Sequence, residues 1–546
     1  EDYAKQILDG DVVDENYFVM IRELPHGENP HDESKWLWAN PVLRYPNQYS
    51  ETLLKQIRSE YTKAYGSMDP DKIRKWLTRR MCQWQTASKD SYLNEQQLEL
   101  ARKVLLLLQR YGFGATLLTK SDLVLRDLDV LEKQGADYQS LRPMWQRPVN
   151  RWLLDTHIVN IAMMLKSEAV SCDLLGEDYT DLAEKLHTVL DKHNGTVYGS
   201  YTGDECLSGL SPIQGTELCA IVEQMYSCER LYAYTGDPKW AERLEVLAFN
   251  ALPAAVSEDM WTHQYDQQSN QVSCQRFPGR SLFRTNDGDA HLFGLEPHYG
   301  CCTANMGQGW PKLALSAFMH SGDTVLNALM IPSRLDTDGI HICLETNYPF
   351  GNTMRYTVEA ERPFRLKIRI PSFAKDLAVN GKPGKGRLLS FDIRPGKTEI
   401  RISFRAEPHF IKRPHGLTAV RCGSLLFSVP IRYEKKMLEY IRDGVERKFP
   451  YCDYELIPTS HWAYAYCRGP LERRERGVAD IPFSESCPPV TVRATAAPID
   501  WGYEDGFDSV CAKKPHSRKP LAEPAEVELI PYGCAKLRMT ELPLIK

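Results

Sequence analysis

Tyr234-Thr235-Gly236-Asp237-Pro238, running on into Trp240-Ala241-Glu242-Arg243-Leu244, reads as the end of one helix, a glycine turn and the start of the next. The same order of residue types occurs in Leu174-Leu175-Gly176-Glu177-Asp178 followed by Leu182-Ala183-Glu184-Lys185-Leu186. Glycine takes the left-handed conformation that stops a helix, and an acidic residue opens the next, so each copy predicts an αα-hairpin. Hairpins recurring after ~60 residues predict helices stacked into a larger array, and an array that closes on itself is an (α/α) toroid.

Upstream, Ser50-Glu51-Thr52-Leu53-Leu54 and Asn94-Glu95-Gln96-Gln97-Leu98 begin further helix-like runs, whereas Pro25, Pro30, Pro41 and Pro46 interrupt any period in the first 48 residues. Downstream the period changes from 3.6 to 2. Thr324 to Met330, Arg365 to Ile370, Thr398 to Phe404 and Val490 to Arg493 have strand length and pattern, with turns at Asn380-Gly381 and Pro395-Gly396. The expected fold is multidomain α+β. It comprises an irregular segment over 1–48, a helical toroid over 49–321 and a β-sandwich region over 322–546 with room for two sandwiches.

The chain has 546 residues, more than one compact core accommodates. With 42% hydrophobic and 25% charged residues it has globular usage. Its 67 Lys and Arg against 72 Asp and Glu lack the basic excess that neutralises a phosphate backbone, so nucleic acid is not an expected partner. No apolar stretch approaches the ~20 residues that span a bilayer, so a soluble chain is expected, with no membrane partner. Fifteen cysteines are an odd number, and a chain this large needs no disulfide framework; thiols here point to core packing, metal or catalysis.

Reactive side chains concentrate in three stretches: Tyr201-Thr202-Gly203-Asp204-Glu205-Cys206, Gly215-Thr216-Glu217-Leu218-Cys219, and Pro297-His298-Tyr299-Gly300-Cys301-Cys302-Thr303-Ala304-Asn305. Thr216 reads as the N-cap of a helix, which places Glu217 and Cys219 in its first turn, where both can converge on one ion. With the adjacent pair Cys301 and Cys302 they make three thiolates and one carboxylate, a tetrahedral set that zinc accepts. The plainer readings stand beside this one: Glu217 as an ordinary first-turn carboxylate facing the helix dipole, Cys219 as a core cysteine, and the adjacent pair as a vicinal disulfide or two unrelated bridges.

These stretches resemble the β-L-arabinofuranosidase family, glycoside hydrolase family 127. The likeness runs from Gly203-Asp204-Glu205 through Gly215 to Glu223, Gln264 to Val272 and Leu292 to Asn305, and reaches Tyr348-Pro349-Phe350-Gly351 and Val379-Asn380-Gly381. It implies an (α/α)6 barrel followed by β-sandwich domains, a zinc site of three cysteines and a glutamate, and retaining hydrolysis through a cysteine nucleophile. By motif, Glu217, Cys219, Cys301 and Cys302 would hold the metal, with Cys301 also the nucleophile and Glu205 the acid/base. Family members place a further cysteine just before the adjacent pair, where His298-Tyr299-Gly300 stands here, and more residues between the two glutamates. Asp204 therefore competes with Glu205.

In a retaining scheme Glu205 would first protonate the leaving oxygen and then deprotonate the hydrolytic water, its carboxyl about 5–5.5 Å from the nucleophile. Trp152, His157, His298 and Tyr299 flank these stretches and are candidates for contact with sugar, as are Trp261 and Trp310, each equally readable as packing. Cys274 is a candidate spare ligand. The expected partners are an oligosaccharide or glycoconjugate substrate and a second copy in a homodimer. Rival readings are a glycosidase of the same fold on another sugar, a polysaccharide lyase, and a non-catalytic carbohydrate-binding protein with a structural zinc. The start Glu1-Asp2-Tyr3 leaves the address open, and a site needing reduced thiols leans toward the cytoplasm.

Overall fold

The computed structural model describes residues 156–546 except 177, 277–282, 284, 285, 287, 296–298 and 443, together with 19–21, 102, 106, 115–117, 145 and 146. The chain divides into two compact units, Glu1–Leu141 and Arg142–Lys546. Of the first, the described residues include the antiparallel strand pair Val19–Ile21 and Ala115–Leu117. The helical runs expected between Tyr49 and residue 136 lie largely outside the described residues.

In the second unit the two expected hairpins form. Helix α1 (Ile158–Met164) leads into α2 (Ser167–Leu175), which stops at Gly176 with φ 68°, and α3 (Leu182–Asn194) follows. Helix α4 (Leu218–Thr235) stops at Gly236 with φ 66°, and α5 (Pro238–Val246) begins with Asp237 as N-cap, its carboxylate accepting the Lys239 backbone N–H at 3.0 Å. Both stops need a left-handed residue that glycine supplies without Cβ strain. In α3 the buried residues Ala183, Leu186, His187, Leu190 and Asn194 share one face. In α4 most residues from Leu218, Cys219 and Ala220 to Leu231 and Tyr232 are buried, leaving a stripe of Glu223, Tyr226, Arg230 and Ala233 less covered, and it packs on α1, α5 and a later helix, α6 (Gly300–Leu315). Its first turn lies wholly in the interior, and that is where it carries Cys219.

After α6 the chain turns to strands at Phe318, which pairs through Ser321 with Thr324–Asn327, so the turn Ser321-Gly322-Asp323 is a hairpin inside the β part. A six-stranded sheet runs in the order Lys382–Pro383, Lys375–Val379, Gly396–Arg405, Thr353–Ala360, Ile340–Thr346, Ser333–Thr337; a four-stranded sheet runs Leu388–Ile393, Phe364–Arg369, Thr324–Asn327, Phe318–Ser321. Their alternating inward residues, such as Met354, Tyr356 and Val358 against Leu366 and Ile368, belong to one buried cluster. Asn380 and Gly381, at φ 50° and 74°, make the tight turn expected there. A third, ten-stranded sheet gathers the C-terminal strands and takes in Asn270–Gln271 from the helical part, paired with Arg538–Met539. Among the described residues no helix is long and apolar enough to cross a membrane.

The helical and β parts are tied by a buried ion pair between Glu245 of α5 and Arg369. Tyr348 Oη donates to the same carboxylate at 2.6 Å and Ser424 Oγ at 3.1 Å.

Candidate active site

Two helix N-termini converge on one point. Cys219 is the second residue of α4, and Cys301 and Cys302 open α6 behind Gly300. Each helix start presents unsatisfied N–H groups and a positive dipole end, which favours thiolate over thiol. Ahead of α4, Thr216–Glu217 forms a two-residue strand paired with Asp266–Gln267, so Glu217 rather than Thr216 occupies the cap position. The Thr216 hydroxyl is used elsewhere, accepting from Tyr198 Oη at 2.7 Å.

The ligand atoms of Glu217, Cys219, Cys301 and Cys302 lie within 4.8 Å of one another, with Cys219 Sγ 3.2 Å from Cys302 Sγ. Glu217, Cys219 and Cys302 are buried; Cys301 is exposed. The set fits a zinc ion in chemistry as well as spacing, since three sulfurs and a carboxylate match its preferred donors. The buried Oε2 of Glu217 has no hydrogen-bond partner in the protein, which a cation would supply. Without an ion the four groups share charge unevenly. Hydrogen bonds from Cys219 and Cys302 hold the Cys301 thiol down to about 3. Donating to Cys301 pushes Cys219 up, burial pushes Cys302 up, and burial followed by the charges of Glu205 and Cys301 pushes Glu217 up.

Glu205 stands beside this cluster, its carboxylate grouped with Glu217 and His157 within 4.8 Å. Tyr265 Oη donates to Oε1 at 2.7 Å, and His157 Nε2 lies 2.9 Å from Oε2. His157 caps α1, its Nδ1 accepting the Asn160 backbone N–H at 3.3 Å, so the neutral ring carries its proton on Nε2 and donates it to Glu205. The loop holds Glu205 in a strained backbone conformation, φ 91°, secured by Ile158 N–H donating to the Glu205 carbonyl at 2.7 Å and Glu217 N–H to that of Gly203 at 3.1 Å. Gly203 is required for this approach: a Cβ there would sit 2.2 Å from Ile158 Cγ2.

Asp204 is fully buried, accepting from Ser208 Oγ at 2.6 Å and Gln214 Nε2 at 3.1 Å. Tyr299, half-buried, stacks on Tyr265 with centroids 3.9 Å apart. Cys274 is buried, taking a hydrogen bond from Gln264, and Trp261 donates to the Pro450 carbonyl. Trp310 stacks on Phe483. Trp152 and His298 lie outside the described residues. Two residues that the sequence reading assigned no role belong to the site: Tyr265, through Glu205, and Asp266, the strand partner of Glu217. Asp266 is buried, with its carboxyl pushed up by burial and then by the charge of Asp204. The only signal for either was the run Gln264-Tyr265-Asp266 within the family likeness.

Residues 175–314 match the family model described as Beta-L-arabinofuranosidase, GH127 catalytic domain, and residues 324–390 match its GH127 middle domain. Residues 11–112 match a model for the terminase large subunit, endonuclease domain, over a stretch almost wholly outside the described residues. Among solved structures the chain is similar to Ara127N-Se, a GH127 beta-L-arabinofuranosidase from Geobacillus stearothermophilus T6, at TM-score 0.51 and 15% identity, covering 92% of this chain and 78% of that one. It is also similar to a structure described as a glycoside hydrolase, at TM-score 0.50 and 14% identity, covering 92% and 82%. At these identities the likeness concerns the fold. No curated protein matches the chain.

Proposed function

Because the chain belongs to the β-L-arabinofuranosidase family, glycoside hydrolase family 127, we propose that it is a zinc-dependent retaining exo-glycosidase acting on a β-L-arabinofuranoside or a closely similar furanoside. The observation that carries this reading is the convergence of Glu217, Cys219, Cys301 and Cys302 within 4.8 Å, with Cys301 alone of the four exposed. Cys301 thus stands at the accessible edge of the set while the other three are enclosed, which suits the one member that has to meet a substrate.

Glu217, Cys219, Cys301 and Cys302 would hold the zinc. When bound, it keeps the thiols deprotonated at neutral pH and offsets the charge of the buried carboxylate. The Cys301 thiolate attacks the anomeric carbon as the glycosidic C–O bond breaks, and Glu205 gives its proton to the departing oxygen. A thioglycoside between Cys301 and the sugar results. Glu205, now a carboxylate, takes a proton from water; the oxygen attacks the anomeric carbon, the C–S bond breaks, and the thiolate returns. Two inversions give net retention. His157 and Tyr265 orient the Glu205 carboxyl from opposite oxygens, and Asp204, committed to Ser208 and Gln214, serves the loop rather than the proton transfer. The helices α1 to α6 belong, in this reading, to an (α/α)6 barrel, followed by β-sandwich domains.

A panel of aryl furanosides and pyranosides tests the reading. Turnover is expected with the β-L-arabinofuranoside, and NMR of the first product should show the β anomer. Release of the α anomer, or no turnover across the panel, overturns it.

A further inference from the structure

The helical and β parts also meet at a cleft of about 420 Å³, within the roughly 300–1,000 Å³ typical of ligand pockets. Helices α3 and α5 line one side, and the antiparallel strands His409–Arg413 and Leu417–Cys422 the other. In that pair His409 stands opposite Arg421, and Arg413 opposite Leu417. Opposed residues share a face and every second residue returns to it, so Arg413 and Arg421 both point toward the helices.

The lysine and arginines of the lining are Lys239, Arg243, Arg413 and Arg421, and the first three each have a carboxylate of their own. Arg243 donates through both terminal nitrogens to Asp191, Lys239 pairs with Glu184, and Arg413 Nε donates to Glu541 at 3.0 Å. Asp237, a second carboxylate on Lys239, also caps α5 and is answered by that helix start. The remaining acid of the lining, Glu242, is committed elsewhere: it accepts from the Ser372 backbone N–H and Oγ, both at 2.6 Å, and from Arg387 at 3.0 Å.

Arg421 is the cation left over. Its Nε donates to the Gly423 carbonyl at 2.8 Å. Its two terminal nitrogens make no hydrogen bond or ion pair among the described residues, and neither is shut away from solvent. Four N–H groups therefore stand unmatched at the cleft and within reach of a ligand. Burial holds this guanidinium below its usual range, and the charge of Glu242 only partly opposes the effect. A half-buried cation without its own counter-ion costs stability that an arriving anion recovers. The fork of a guanidinium matches two oxygens of a carboxylate or a phosphate at once.

We propose that this cleft binds an oxyanion, the carboxylate of an acidic sugar or a phosphate group, held in the fork of Arg421. The site shares no residue with the cysteine cluster and does not depend on the hydrolase reading.

Titration calorimetry of the full chain at low ionic strength tests it, with galacturonate in one arm and sodium phosphate in the other. Binding of galacturonate alone identifies a carboxylate site, binding of phosphate alone a phosphate site, and either supports the proposal when it depends on Arg421. Arg421→Met removes the fork and should weaken binding about tenfold or more. Arg421→Lys keeps the charge without the fork and should weaken it roughly three- to tenfold. Without ligand the methionine variant should melt at or above the wild-type temperature, because an unanswered charge is gone. A guanidinium that only props the Gly423 carbonyl would instead lower the melting temperature and leave binding alone. That outcome, wild-type affinity in both variants, or no binding of either probe by the wild-type chain overturns the proposal. Because the readout is binding, turnover of aryl arabinofuranosides or its absence bears only on the hydrolase reading.

Discussion

Cys219 Sγ lies 3.2 Å from Cys302 Sγ although 83 residues separate them, each sulfur carried by the first turn of a different helix. The packing of α4 on α6 therefore makes the cluster, and each residue of it has a different expected sensitivity.

Cys301→Ser should abolish turnover of an aryl β-L-arabinofuranoside, by about 10³-fold or more, because the serine hydroxyl stays protonated where the thiol is held down to about 3. As one of the four proposed zinc ligands it also supports the fold, so the variant should melt lower and hold zinc less tightly. Circular dichroism melts alongside kinetics check both; activity in the serine variant would remove Cys301 as nucleophile.

Metal content should be about one zinc per chain, measured by plasma mass spectrometry. Without metal, Glu217, Cys219 and Cys302 all sit above their ordinary values, the carboxyl chiefly through burial, and so hold protons that the ion must displace. Binding then releases protons, and apparent zinc affinity should climb as pH rises between 6 and 8. A pH-independent affinity in a competition titration would contradict the ligand set.

Tyr265→Phe removes the donor to Glu205 Oε1, and kcat should fall by roughly 10–100-fold with zinc content unchanged. His157→Ala removes the partner of Glu205 Oε2 together with the α1 cap, and should add a loss of about 1 kcal/mol of stability to a similar loss in kcat. Loss of zinc in either variant would mean that the residue supports the metal cluster instead.

Arg369→Met leaves the Glu245 carboxylate buried without its counter-ion, at a cost of about 3–5 kcal/mol. Burial already pushes the Glu245 carboxyl up. A folded pKa above the unfolded one means stability is lost as pH rises through it, so the variant should be least stable at neutral pH and recover toward pH 5. Adding Glu245→Gln should restore part of the loss, seen in urea melts at both pH values.

Much of the local structure was legible in the chain itself. The glycine stops at 176 and 236, the Asp237 cap, the switch to period 2 and the turn at Asn380-Gly381 all follow from what a short peptide prefers, and each takes the expected form. The adjacency of Glu217 and Cys219 at one helix start, and of Cys301 and Cys302 at another, is likewise a local fact. Which of Asp204 and Glu205 faces the cluster was not local. It turns on the strained φ of Glu205, on Gly203 meeting Ile158, and on Ser208 and Gln214 claiming Asp204. Tyr265 and Asp266 were silent in the sequence for the same reason: they act through partners on other elements, the one on Glu205 and the other across a two-residue strand from Glu217. Propensity, capping and periodicity are set by neighbours a few residues apart and can be read from the chain. The burial that raises the Glu217 carboxyl, the two helix dipoles aimed at one sulfur cluster and the exposure of Cys301 arise only when distant segments pack, and these were decided by the tertiary structure.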